Sequence, residues 1–167
     1  RISVNVSAQE LKEKSFCSDI LGILERCGVS GEQIAIELTE SRSERDFMLM
    51  KEKIEQLKRK GLTFSLDDFG MGYSNMERIL ELPFDIIKFD RSLVQASATD
   101  ERSRKMVSNL ANMFTSMDYD VLYEGVERDA DEVLCLEMSA AYLQGYQYSR
   151  PVPIAELSNY IARSEER

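Results

Sequence analysis

Residues 33–38 read Gln33-Ile34-Ala35-Ile36-Glu37-Leu38, and residues 62–67 read Leu62-Thr63-Phe64-Ser65-Leu66-Asp67. In both, one parity is apolar (Ile34, Ile36, Leu38; Leu62, Phe64, Leu66). The other is small or polar and ends on an acid (Ala35, Glu37; Thr63, Ser65, Asp67). A period of two marks a strand with unlike faces. Ile2-Ser3-Val4-Asn5-Val6 divides in the same way, and so does the run Asp85 to Phe89, with Ile87 and Phe89 on one parity and Ile86 and Lys88 on the other. Asp120 to Tyr123 and Tyr142 to Tyr146 complete a set of six β-like runs.

Amphipathic stretches separate most of these runs. Phe16, Ile20, Ile23, Leu24 and Cys27 recur at helical spacing before Gly28, a residue suited to end a helix. Phe47, Met50, Ile54 and Leu57 precede Lys58, Arg59 and Lys60, cations that suit the last turn of a helix. A short helix is expected around Met76, Ile79 and Leu80 before Pro83, and another around Ala130, Val133 and Leu134. The clearest stripe is Met106, Val107, Leu110, Ala111, Phe114 and Met117, and the methionines as a group read as core packing. Pro153 opens a last helix through Leu157 and Ile161. Repeated β-helix-β units build a parallel sheet. A doubly wound sheet buries both faces and its strands read as continuous apolar runs. Here one face is greasy and the other polar near the carboxyl ends, as in a TIM-type (β/α) barrel with a polar mouth. No linker divides residues 1–167, which read as one domain.

Composition narrows the chemistry. The chain has 167 residues, 21 basic and 30 acidic, for a formal charge of −9, and it has no histidine. That excludes Ser-His-Asp triads, Cys-His dyads and His-ligated zinc. Any metal must be held by oxygen atoms, which points to a hard cation. Cys17, Cys27 and Cys135 form no CxxC pair and fit buried thiols in a reducing, cytoplasmic setting. The acidic balance argues against a nucleic-acid polymer as partner. No apolar run approaches the roughly 20 residues of a membrane span.

At the strand ends stand Asn5, Glu37, Asp67 with Asp68, Lys88, Glu124 and Gln144. One acid at such a place is usually a cap or a loop charge. An acid, amide or lysine at the end of each of several parallel strands is different, because those ends converge and crowded carboxylates need a cation.

The ordered set Ser3-Val4-Asn5-Val6-Ser7, Ile36-Glu37-Leu38-Thr39-Glu40, Leu66-Asp67-Asp68-Phe69-Gly70-Met71-Gly72-Tyr73-Ser74, Ile87-Lys88-Phe89-Asp90-Arg91-Ser92, Glu124-Gly125-Val126-Glu127 and Tyr142-Leu143-Gln144-Gly145-Tyr146 closely resembles the EAL domain. That family contains bacterial phosphodiesterases that hydrolyse cyclic di-GMP on a modified TIM barrel. The resemblance implies Mg²⁺ or Mn²⁺ held by Asn5, Glu37, Asp67 and Asp68. It implies Lys88 polarising the attacking water, Glu124 as general base or further metal carboxylate, and Gln144 on metal water or substrate. Glu40 and Glu127 would brace the loop after Asp68.

The sequence also departs from the family pattern. No Glu-Ala-Leu segment occurs in these residues, and the strand carrying it would precede Ile2. The expectation is therefore a single partial domain with about six of eight strands, part of a longer chain, that turns over cyclic di-GMP weakly or not at all by itself. The alternative is a non-catalytic module that binds the nucleotide or a protein partner. An upstream segment, a second copy in a homodimer, or an open sheet covered near Leu157 would each answer the gap. A GGDEF or sensor domain upstream fits the family. Met71 stands where threonine is usual, Tyr123 where alanine is usual, and Ser139-Ala140-Ala141 replaces a run that often ends in aspartate. Tyr123 would add bulk either near the mouth or against a helix.

Overall fold

The computed structural model describes residues 1–39, 47–71 and 76–164. Six parallel strands form one sheet in sequence order: β1 (Ile2–Val6), β2 (Ile34–Thr39), β3 (Thr63–Phe69), β4 (Ile86–Phe89), β5 (Asp120–Tyr123) and β6 (Tyr142–Leu143). The helices are α1 (Ala8–Lys12), α2 (Phe16–Cys27), α3 (Phe47–Lys58), α4 (Met76–Glu81), α5 (Arg91–Thr99), α6 (Glu101–Thr115), α7 (Asp129–Glu137) and α8 (Ile154–Ser164). This is an incomplete TIM-type barrel. Its curl is visible in the inward side chains. Lys88 on β4 reaches Glu37 on β2 across the intervening β3, with Nζ 2.7 Å from Oε2.

The two parities do separate as faces. Ile36, Leu38, Phe64, Leu66, Ile87, Phe89, Val121 and Tyr123 are buried under the helices. An aromatic cluster lies just beneath the mouth: the Phe89 ring centroid is 5.1 Å from those of Phe69 and Tyr123, and Phe114 of α6 packs edge-on to Phe69 at 5.2 Å. These rings flank the site in sequence, since Phe69 follows Asp67-Asp68, Phe89 follows Lys88 and Tyr123 precedes Glu124. Tyr123 is on the helix side, not in the mouth. Its hydroxyl donates to the Met138 carbonyl at 2.9 Å, so its polar tip is satisfied inside the core.

Several expectations change. The greasy face is not covered everywhere: Ile2 and Val4 of β1 are 65% and 42% exposed. β1 pairs on one side only, with β2, and α1 packs toward α3. Met48, Met106 and Met117 are exposed while Met50 is buried, so the methionines do not act together as core. Cys17 and Cys135 are buried thiols, but Cys27 is exposed. The last strand stops at Leu143 instead of running to Tyr146, because the chain turns at Gly145, whose carbonyl accepts from the Tyr148 amide at 3.1 Å.

Two helices escaped the hydrophobic pattern. α1 opens with a reciprocal capping box between Ser7 and Glu10. α5 opens with the Asp90 carboxylate accepting from the Ser92 amide at 2.8 Å. Both cap residues were legible in the sequence; their helices were too short or too weakly striped to register. Where periodicity was strong, the prediction held: α2 ends at Gly28, which takes the left-handed conformation with φ 64°. Among the described residues, no helix is long and apolar enough to cross a membrane.

Candidate active site

The parallel register sets the first tier of the mouth. Asn5 lies beside Glu37, and Glu37 beside Ser65, all on the inward parity. Thr39 pairs with Asp67 one tier higher. β3 and β4 pair regularly through Leu66 and Ile87, then the register slips before Phe69 meets Phe89. The slip is a bulge across Asp67 and Asp68, and Asp68 adopts a left-handed φ of 57°. A bulge suspends strict alternation, so consecutive residues need not face opposite ways. Both aspartates thus reach one place. Carboxylate oxygens of Asp67, Asp68 and Glu124 come within 4.8 Å of one another, a group able to hold a metal ion.

Lys88 is the hub. Its ammonium is 3% exposed and contacts three carboxylates: Glu37 at 2.7 Å, Asp67 at 2.7 Å and Glu124 at 2.8 Å. These bonds overcome the cost of burial and hold the lysine pKa above its ordinary value. The Glu124 carboxyl is pushed up instead. Its burial outweighs the help from Lys88, and Asp67 and Glu37 add repulsion. Asp68 is raised for the same first reason, burial, and then by its neighbours Asp67 and Asp90.

The donor set fits a hard cation. Glu37, Asp67, Asp68 and Glu124 bring four formal negative charges against the single charge of Lys88. Asp67 Oδ1 is buried and lies near Lys88 Nζ, yet the approach is misaligned for a hydrogen bond and no other donor among the described residues reaches it. A buried acceptor left without a donor is costly, and a cation would satisfy it.

The remaining expected residues are arranged less tightly. Asn5 and Gln144 sit on or just past the two edge strands and are exposed. Gln144 is anchored by its backbone, donating to the Tyr123 carbonyl at 2.9 Å and accepting from the Val126 amide at 3.1 Å. That approach requires the next residue to be glycine: a Cβ on Gly145 would stand 2.0 Å from the Val126 oxygen. Glu127 pairs with Arg91 at 3.0 Å. Glu40 and the loop residues 72–75 lie outside the described residues. Sequence reading missed Arg91, which borders a hollow of about 270 Å³ together with Glu124, Glu127, Gln144 and Tyr146. Its signal was only its place two residues after the strand that carries Lys88.

A curled parallel (β/α) sheet with acids, an amide and a buried lysine at its carboxyl ends defines a TIM-type barrel protein with a carboxylate cluster in its mouth able to hold a metal ion. The EAL domain family model matches residues 1–151, and the chain belongs to that family. It is 29% identical over 163 residues to the cyclic di-GMP phosphodiesterase RocR of Pseudomonas aeruginosa, covering 98% of this chain and 42% of RocR. It is 30% identical over 162 residues to the oxygen sensor protein DosP of Escherichia coli, covering 96% of this chain and 20% of DosP. The PaMucR phosphodiesterase, solved as a c-di-GMP complex, superposes with a TM-score of 0.83 at 29% identity, over 94% of this chain and 64% of that one. The chain therefore spans between a fifth and about two fifths of the two curated relatives.

Proposed function

We propose that this mouth is the hydrolytic site of a metal-dependent cyclic di-GMP phosphodiesterase. The observation that carries the reading is the Lys88 hub: one buried ammonium among three carboxylates, beside a fourth, with negative charge in excess. RocR and PaMucR bear the name phosphodiesterase, and PaMucR was solved with the cyclic dinucleotide.

Asn5, Glu37, Asp67 and Asp68 would hold Mg²⁺ or Mn²⁺, which when bound lowers the pKa of coordinated water and stabilises charge on the attacking and leaving oxygens. The protein's own groups then divide the proton work. Lys88 is held protonated, so it can donate hydrogen bonds and offset phosphate charge but cannot serve as a base. Burial raises the Glu124 carboxyl above its ordinary value, which makes its carboxylate a better proton acceptor and suits a general base. In the hydrolysis, the water oxygen bonds to phosphorus as one water proton passes to Glu124, and the ester P–O bond breaks with the departing oxygen taking up a proton from solvent to leave as the alcohol. Gln144 would contact metal water or substrate from the far edge. Glu40 and Glu127 would steady the loop after Asp68.

A second reading is binding of cyclic di-GMP, or of a protein partner, without turnover. It is favoured by the departures from the family pattern at Met71, Tyr123 and Ser139-Ala140-Ala141. In the longer protein the partners would be an upstream sensor or GGDEF domain, with a homodimer as one arrangement, and the setting the cytoplasm. The deciding experiment is a turnover assay with Mg²⁺ or Mn²⁺ on residues 1–167 and on the full-length protein. Hydrolysis that disappears in Glu37→Ala supports the enzyme. No turnover in either, together with a thermal shift on adding cyclic di-GMP, selects the binding module.

A further inference from the structure

The segment Glu124-Gly125-Val126-Glu127 is gripped from two sides. On one side Val126 exchanges backbone hydrogen bonds with the β6 end, donating to Gln144 and accepting from Gln147 at 3.1 and 3.0 Å. On the other side is Arg91, the first residue of α5. Its stem lies across Gly125 so closely that a Cβ there would stand 2.4 Å from Arg91 Cγ, and Gly125 has a φ of 69°, which a side chain would strain. Its guanidinium pairs with Glu127 at 3.0 Å. With the Gln95 amide turned to present its oxygen, Arg91 Nε and Nη2 donate to it at 2.8 and 3.1 Å, which pins the arginine to its own helix.

The β4 end thus contributes two cations, three residues apart, to one short segment. Lys88 takes the carboxylate of Glu124 and Arg91 takes that of Glu127, while the Glu124 amide donates to the Phe89 carbonyl between them at 3.0 Å. We propose that Arg91 is a positioning residue: it clamps residues 124–127 and so aims Glu124 at the Asp67–Asp68 cluster. The inference rests on the reading of Glu124 as part of the hydrolytic site. Arginine suits the task because its planar fork can hold Gln95 and Glu127 at once, while a methyl on Gly125 is excluded.

The test compares Arg91→Ala and Arg91→Lys in the full-length protein. In metal-free protein, amide hydrogen exchange across residues 124–127 is expected to quicken about 10-fold in Arg91→Ala, as when local opening becomes easier by one hydrogen-bonded anchor. Mn²⁺ titration is expected to show affinity weakened by about 10-fold, the scale on which residues that orient ligands act. Arg91→Lys keeps the stem over Gly125 and the charge opposite Glu127 but loses the fork to Gln95, and should recover only part of both losses. Turnover should fall in kcat with KM for cyclic di-GMP unchanged. Unchanged exchange in Arg91→Ala would overturn the clamp, and a rise in KM alone would make Arg91 a substrate contact instead. If the parental protein binds no Mn²⁺, the hydrolytic reading falls, and the exchange measurement still decides the clamp.

Discussion

The middle of the sheet and its two edges build the same mouth in different ways. On β2, β3, β4 and the end of β5, each inward polar group has strand neighbours on both sides, and Glu37, Asp67, Lys88 and Glu124 lock together at 2.7–2.8 Å. Among the described residues, Asn5 on β1 and Gln144 just past β6 have a strand neighbour on one side and are exposed. The difference teaches that preorganisation here is a property of position in the sheet. A carboxylate flanked by strands is held by its neighbours' side chains, while among the described residues Gln144 at the edge is held through its backbone. The concave interior below, about 440 Å³ lined by Ser3, Ala35, Ser65, Ile86, Leu122 and Leu143 among others, runs continuously from one edge to the other.

The largest expected effect strikes the centre. Lys88→Met leaves the buried Glu37 and the part-buried Asp67 and Glu124 without their common cation, and removing the buried partner of such an ionic cluster costs about 3 kcal/mol. Urea unfolding of metal-free protein near neutral pH measures it; a loss under about 1 kcal/mol would mean the hub is more hydrated than its 3% exposure indicates. The sign with pH follows from the raised lysine pKa. The lysine's contribution is fully present below the ordinary lysine value and is lost as pH rises through the higher folded value, so on the alkaline side the parental and Lys88→Met curves should converge in strong alkali; on the acid side they converge as the three carboxylates protonate.

A smaller effect contrasts centre and edge directly. Asp67→Asn should weaken Mn²⁺ binding by about 100-fold and Asn5→Ala by about 10-fold, because a carboxylate brings charge as well as an oxygen atom. Calorimetric titration of both variants checks this, and equal losses would erase the distinction between locked and free ligands.

The smallest effect lies outside the mouth. Asp131 caps α7, accepting from the Arg128 amide at 3.1 Å and pairing with its guanidinium at 2.8 Å. The Arg128 bond holds its carboxyl below the usual range. A lowered pKa stabilises the fold above the ordinary aspartate value, and that contribution fades as pH falls through the folded value. Asp131→Asn should therefore cost about 1 kcal/mol near neutrality and progressively less in acid, read from thermal melts across pH. A pH-independent cost would assign the loss to packing.

Much of the architecture was legible before any coordinates. Alternation in Gln33–Leu38 and Leu62–Asp67 marked unlike faces, and the same parity in the runs at Ile2 and Asp85 put the candidate residues Asn5, Glu37, Asp67 and Lys88 on the polar face. Parity is readable because the two-residue period is a local property of the chain. It misled at β1, where Ile2 and Val4 have the right parity and no cover, because cover depends on what packs from elsewhere. It was also silent about Arg91, whose role comes from proximity to Gly125 and Glu127, more than thirty residues away.

The sequence alone therefore determined the strand periodicity, the oxygen-only ligand chemistry imposed by the absence of histidine, and which residues stand at the strand ends. Tertiary structure alone decided which of those ends meet. The bulge at Asp67-Asp68 brings consecutive acids to one cluster, and the curl of the sheet brings Glu37 to Lys88 across a strand. Both are long-range outcomes of twist and packing, which no local pattern encodes.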